Sequence, residues 1–298
     1  MKILLFGKNG QVGWELQRSL APLGELVALD RHSQDLCGDI ADLTGIRETV
    51  QRVRPELIVN AAAYTAVDKA ESDSIHAHTV NAEAPGVMAE AASAIGAWLV
   101  HYSTDYVFDG SGSKPWEETD PTGPLSIYGR TKLEGEQRIA AKCAQHLILR
   151  TSWVYAARGG NFAKTMLRLA AERDRLTVVS DQFGAPTGAD LLADVTAHMV
   201  RTAMAEPIAR TAGIYHVAAA GETSWHGYAR FVIDSAAKSG ATLKTPPDAV
   251  DAVPASVFST LAVRPHNSRL NTDKLRGAFG LQPPAWQQGV ARMLAELT

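Results

Sequence analysis

Cysteine is nearly missing: Cys37 and Cys143 are the only two in 298 residues, neither in a C-x-x-C pair nor beside a histidine. A disulfide framework and a cysteine-based zinc site are left without support, and both thiols read as reduced packing residues. Long apolar runs are missing too. The opening Met1-Lys2-Ile3-Leu4-Leu5-Phe6 turns at Gly7, too short for a signal peptide, and no later stretch reaches the ~18 apolar residues of a membrane span. A soluble cytoplasmic protein is expected. Neither sign of charge dominates: 29 basic and 32 acidic side chains give a net −3, without long blocks of one sign. Nothing in that balance suits nucleic acid or an anionic membrane, so the ligand is expected to be small. Internal repeats and low-complexity tracts are lacking as well. Apolar residues, by contrast, make up 46% of the chain, ample for a core in two domains or one large one.

Short apolar runs over 3–6, 26–29, 57–60, 98–103 and 147–150 have the length of buried strands, and the segments 12–20, 45–53, 82–95 and 130–142 have the length of helices. Such alternation predicts an α/β fold, a doubly wound and mostly parallel sheet with helices on both faces. Ligands of these sheets sit beyond the carboxyl ends of the strands. The chemically interesting groups fall there: a glycine turn after the first strand, Asp30 after the second, Ala61 to Thr65 after the third and Ser103 to Asp105 after the fourth. Beyond Thr151 the pattern loosens, with helices expected over 162–173, 190–202 and 225–239 and short strands over 176–179 and 214–217. Pro246, Pro247, Pro254 and Pro265 mark a looped region before a closing helix from Trp286.

Gly7-Lys8-Asn9-Gly10-Gln11-Val12-Gly13 follows a strand and opens a helix. Glycines let the backbone turn sharply and approach a pyrophosphate, while the helix N-terminus offers free N–H groups to its charge. The spacing is G-x-x-G-x-x-G, unlike the G-x-G-x-x-G of many dehydrogenases, and a tight turn made for packing would look the same. Asp30, which lies 17 residues after Gly13, favours a dinucleotide because its carboxylate is placed to accept hydrogen bonds from the adenosine ribose. Arg31 is instead suited to a 2′-phosphate, which leaves NADPH and NADH both open. A Rossmann-type NAD(P)-binding domain is expected over 1–160, completed by part of 190–220, with a smaller, discontinuous substrate-binding lobe over 161–298.

Tyr128 and Lys132 form the only Tyr-x-x-x-Lys of the chain. If Gly129 to Lys142 is helical, the two share a face. The ammonium would then favour the ionised phenol and pull its pKa from ~10 toward working pH, making a tuned acid. Alone, the pair reads equally as an exposed helix pair. Its position after Ser103-Thr104-Asp105 favours chemistry, since Thr104 is placed to hydrogen-bond the oxygen that Tyr128 protonates.

Longer blocks accompany these features: Asn60-Ala61-Ala62-Ala63-Tyr64-Thr65-Ala66-Val67-Asp68-Lys69-Ala70-Glu71, Ser103-Thr104-Asp105-Tyr106-Val107-Phe108-Asp109-Gly110, Tyr128-Gly129-Arg130-Thr131-Lys132, Arg150 to Tyr155, Asp181 to Thr187 and Arg264 to Leu270. On these the chain resembles, from end to end, the extended short-chain dehydrogenases/reductases, and within them the reductases of 4-keto sugar nucleotides. Val107-Phe108-Asp109-Gly110 departs from the V-Y-G of sugar-nucleotide epimerases.

The resemblance implies NAD(P)H-dependent reduction of the C4 ketone of dTDP-4-dehydro-β-L-rhamnose to dTDP-β-L-rhamnose, for cell-wall or lipopolysaccharide rhamnose supply. It implies Tyr128 as proton donor, Lys132 as its support and holder of the nicotinamide ribose, and Thr104 as the hydrogen bond to the ketone. Cofactor positions are Gly7, Gly10, Gln11, Val12, Gly13, Asp30, Arg31, Asp39, Ile40, Ala63, Tyr64, Thr65 and Tyr102; Thr104, Asp105, Tyr128 and Trp153 match substrate contacts. Arg264 and Arg269 suit a diphosphate, and equally a solvated surface. Some relatives look like homodimers held by Mg²⁺, and the matching acids here are Glu15, Asp190 and Glu296, with Asp190 shorter than the expected glutamate. Related chemistries stay open: a reductase of opposite facial selectivity giving dTDP-6-deoxy-L-talose, an epimerase, or a non-catalytic NADP-binding regulatory subunit of methionine adenosyltransferase. Intact Tyr128, Lys132 and Thr104 argue against the last.

Overall fold

A computed structural model describes residues 1–297. Six strands form the central sheet: β1 (Lys2–Phe6), β2 (Glu25–Leu29), β3 (Leu57–Asn60), β4 (Trp98–Thr104), β5 (His146–Thr151) and β6 (Gly213–His216). Their order is β6-β5-β4-β3-β1-β2, and every pairing is parallel. Successive side chains on a strand face opposite sides, so a continuous apolar run feeds two cores at once. Ile3, Leu5, Leu57, Val59, Val100, Leu147 and Leu149 enter one cluster, with Leu16 and Leu20 of α1 (Gln11–Leu20). Leu4, Phe6, Ile58, Leu99 and Ile148 enter the other, with Ile46 and Val50 of α2 (Leu43–Val53) and Val87 and Met88 of α3 (Ala84–Ile95). The doubly wound parallel sheet expected from the alternation is the architecture found.

Three further helices matter for the site: α4 (Ile127–Lys142), α5 (Phe162–Glu172) and α6 (Ala189–Ala205). Helix α4 starts earlier than the spacing predicts, because the Ser126 hydroxyl accepts the Gly129 N–H at 3.1 Å and caps the first turn. Tyr128 therefore stands inside the helix. Helix α6 packs on α1, and the chain then enters β6 beside β5, so residues from the second half close the first sheet.

A third core gathers Tyr155, Met166, Leu176, Val178, Tyr228, Val232, Trp286 and Val290. It joins α5 to α7 (Trp225–Lys238) and α8 (Trp286–Ala295). The strand Leu176–Val179 pairs in parallel with Val250–Val253, a strand inside the region that its prolines mark as looped.

Candidate active site

The turn after β1 is built by two glycines that cannot be replaced. Gly7 has φ +89, and a Cβ there would meet the Ala62 nitrogen at 2.7 Å; a Cβ on Gly13 would overlap the Gly7 carbonyl oxygen. Helix α1 thus lies directly against the turn. Gly10, its N-cap, supplies no side-chain cap, which leaves the first-turn N–H groups facing outward as a cradle for an anion. Gln11 Oε1 accepts the Asn161 side-chain N–H at 3.1 Å, tying this turn to the second half of the chain.

Asp30 follows β2 beside this cradle. The backbone N–H of His32 donates to its Oδ1 at 2.9 Å, and the Asn9 amide donates to Oδ2. Slight burial pushes its pKa up, but the His32 N–H, the Lys8 charge and the Ser33 hydroxyl outweigh it and hold the carboxyl below its usual value. Arg31 is exposed and bonds the neighbouring His32 ring. Asp39 accepts the Ala41 N–H at 3.0 Å, and Ile40 is buried. Ala63, Tyr64 and Thr65 leave β3 on the same edge, held by the Tyr64 N–H to Asn81 at 2.9 Å. The Tyr102 hydroxyl on β4 is taken by Thr196 of α6 at 2.6 Å.

At the end of β4 the reactive groups converge. Thr104 is 5% exposed; it accepts the Tyr106 N–H at 3.1 Å, donates to Asp105 Oδ1 at 3.1 Å, and shares a hydrogen bond with the Tyr128 phenol. The Tyr106 ring stands edge-on to Tyr128, with centroids 5.4 Å apart. Around them, Ser103 Oγ, Asp105 Oδ2, Thr151 Oγ1 and Ser152 Oγ are buried without hydrogen-bond partners. Parallel pairing sets Thr104 and the orphaned Thr151 side by side on one face of the sheet at the carboxyl ends of β4 and β5, while Ser103 projects to the other face. Unpaired buried oxygens in such a concentration fit a polar ligand.

The expected electrostatics do not hold. Lys132 does not depress the Tyr128 phenol: burial pushes Tyr128 up to about 12, the Thr104 hydrogen bond pulls the other way, and Asp105 adds to the rise. The lysine is 2% exposed and its amine turns inward, donating to the Tyr102 carbonyl at 2.5 Å and meeting His101 Nε2 at 3.1 Å. Burial lowers it to about 8 against the pull of Glu136. Tyr128 thus keeps its proton, and of the two groups it is the amine whose pKa burial brings closer to neutrality. Asp105, at 2% exposure, is pushed up to about 6 by burial against hydrogen bonds from Ser268 and Thr104.

Trp153 follows β5 with φ 50, a left-handed conformation that costs a bulky residue roughly 1–3 kcal/mol and is tolerated mainly at ligand sites. Its ring stacks on Trp225 at 3.7 Å. Arg264 and Arg269 do not form a free clamp: Arg264 donates to Asp68 at 2.5 Å, and Arg269 to Glu222 at 2.6 Å while lying over Phe183.

Glu15, Asp190 and Glu296 line one cavity of about 270 Å³ with Trp14, Arg18 and Arg292. Arg18 pairs with Glu15 at 3.5 Å, and Arg292 with Asp190 and Glu296 at 3.3 Å each. Among the described residues no three acidic, histidine or cysteine side chains are grouped closely enough to hold a metal. Inside one chain, therefore, guanidinium ions satisfy the acids, and the residues do not make a metal site. No described helix is long and apolar enough to cross a membrane.

A doubly wound parallel sheet with threonine, tyrosine and lysine gathered beyond β4 defines an oxidoreductase of the extended short-chain type. The family model of the RmlD substrate binding domain matches residues 1–298, and the chain belongs to the dTDP-4-dehydrorhamnose reductase family. It is 58% identical to the dTDP-4-dehydrorhamnose reductase of Escherichia coli K12 over 297 residues, 100% of this chain and 98% of that one. Its fold matches a dTDP-4-dehydrorhamnose reductase from Clostridium acetobutylicum with TM-score 0.90 and 34% identity, covering 100% of this chain and 99% of the other. The Bacillus anthracis reductase in complex with NADP matches with TM-score 0.89 and 34% identity, over 99% of each chain.

Proposed function

We propose that this chain reduces the C4 ketone of dTDP-4-dehydro-β-L-rhamnose to dTDP-β-L-rhamnose. The observation that carries the reading is the hydroxyl pair at the end of β4, where Thr104 holds a Tyr128 phenol kept protonated at about 12. NADPH or NADH, when bound, supplies the hydride to C4. Thr104 and Tyr128 hydrogen-bond O4 and stabilise the charge that grows on it. Tyr128 then gives its proton to that oxygen, so ketone, hydride and proton are accounted for in the alcohol. Lys132 is assigned to support the phenol and to hold the nicotinamide ribose.

The cradle of Gly7, Gly10, Gln11, Val12 and Gly13, with Asp30, Arg31, Asp39, Ile40, Ala63, Tyr64, Thr65 and Tyr102, is assigned to the dinucleotide. Thr104, Asp105 and Trp153 are assigned to the sugar nucleotide; the orphaned oxygens around Asp105 and the strained Trp153 support this. The cofactor unit is taken as 1–160 with part of 190–220, and 161–298 as the substrate lobe. A homodimer bridged by Mg²⁺ at Glu15, Asp190 and Glu296 belongs to the same reading. Convergence of the acids on one cavity supports it; the reading requires Arg18 and Arg292 to release these acids and oxygens of a second copy to complete the shell.

Loss of NAD(P)H absorbance with this sugar nucleotide tests the activity. Tyr128→Phe removes the donor and is expected to lower kcat 10²- to 10⁴-fold, the range for general acids, with substrate affinity little changed. Full turnover in that variant ends the assignment. Proton NMR of the product separates the rhamnose from the 6-deoxytalose sugar.

A further inference from the structure

Behind Lys132 runs a buried polar chain that the mechanism above does not use. His101 on β4 is 1% exposed, and its register partner on β3 is Asn60, also 1% exposed. Asn60 Nδ2 stands 3.1 Å from His101 Nδ1, and Asn60 Oδ1 accepts the Ala62 backbone N–H at 3.1 Å. On the far side of the ring, His101 Nε2 is 3.1 Å from the Lys132 amine.

Donor counting settles the protons. The Ala62 N–H only donates, so it holds the amide oxygen of Asn60 and turns the NH₂ toward the imidazole. An NH₂ also only donates, so Nδ1 must accept. The single proton of the neutral ring then lies on Nε2, aimed at Lys132. A neutral amine accepts that proton; an ammonium would set two donors against each other. We propose that His101 is a positioning residue of the reduction: oriented by Asn60, its Nε2–H holds the Lys132 amine and biases it toward the neutral form, which sets the pH range over which Tyr128 is supported.

Of the other groups around the amine, one carboxylate opposes this bias. Glu136, one turn along α4, favours the charged lysine but is itself bound to Arg150 of β5. The phenols of Tyr102 on β4 and Tyr128 on α4 are kept protonated by burial. Burial holds His101 well below its ordinary pKa, so the ring stays neutral.

Two measurements test the inference, only one of which rests on the reductase reading. Nitrogen-15 NMR of the full chain with labelled histidine reports the tautomer of His101 directly. The Nε2–H form is expected above about pH 8, where the amine is neutral, and an Nδ1–H form or an imidazolium there overturns the proposal whether or not the chain is a reductase. For kinetics, Asn60→Asp keeps the bond from Ala62 but accepts from Nδ1–H, which moves the ring proton away from Lys132. The limb of the kcat–pH profile assigned to Lys132 should then rise by one pH unit or more. A folded Asn60→Asp enzyme with lower activity but an unmoved limb shows a merely structural role. If the variant does not fold, the tautomer measurement on the unaltered chain still decides.

Discussion

Glu136 and Arg150 form an ion pair sealed between α4 and β5, 2% and 3% exposed, and the cost of breaking it can be worked out from the geometry. Arg150 donates through Nε to Oε1 at 3.0 Å and through Nη2 to Oε2 at 2.6 Å, the two-pronged arrangement of a strong charge-assisted pair. Glu136→Gln preserves the shape but removes the charge and turns an NH₂ against a guanidinium. The buried cation is left uncompensated, for about 3–5 kcal/mol of stability, a large part of the ~5–15 kcal/mol that holds a domain together. Glu136→Leu combined with Arg150→Met removes both charges and should cost less than either single change. Urea unfolding followed by tryptophan fluorescence reads the difference as a shift in midpoint at constant slope. The same substitution withdraws the one carboxylate that favours charged Lys132, so the kinetic limb should move downward in pH, opposite to Asn60→Asp. Single variants within about 1 kcal/mol of the parent, with the double variant worse than both, would refute a stabilising role for the closed pair.

His216 on β6 is wholly buried, and burial, then the charge of Arg150, lowers it to about 3. Unfolded, it binds a proton near ~6.5, so between those values the unfolded state holds more protons and stability falls as pH drops, by up to ~1.4 kcal/mol per unit. His216→Gln should flatten the decline in urea midpoint between pH 7 and 5 by about one proton's worth, and an unchanged slope would contradict the burial argument. For the proposed assembly, sedimentation should show a dimer in Mg²⁺ and a monomer in excess EDTA, reversible on adding the metal back; a dimer indifferent to EDTA removes the cation from the interface.

What could be read from the sequence followed from burial on both sheet faces. Residues 3–6 and 57–59 carry side chains into two cores, so each strand shows as an unbroken apolar run. Val250–Val253 did not show, because Asp251 interrupts a short run between prolines and the segment is made a strand by pairing with Leu176–Val179, a contact across more than seventy residues. Spacing placed Tyr128 and Lys132 on one helix face, but not the direction of the amine. A lysine stem long enough to reach β4 finds the Tyr102 carbonyl there, and the phenol then keeps its proton through burial. His101 was passed over for a related reason: one histidine in an apolar strand reads as core. Its partner was already in view at the end of the preceding strand, and only parallel register shows that the two polar residues are neighbours. Where adjacent buried strands each carry one polar residue near the carboxyl end, the pair is worth testing as a second layer of the site, because each must be satisfied by the other or by the group in front of it.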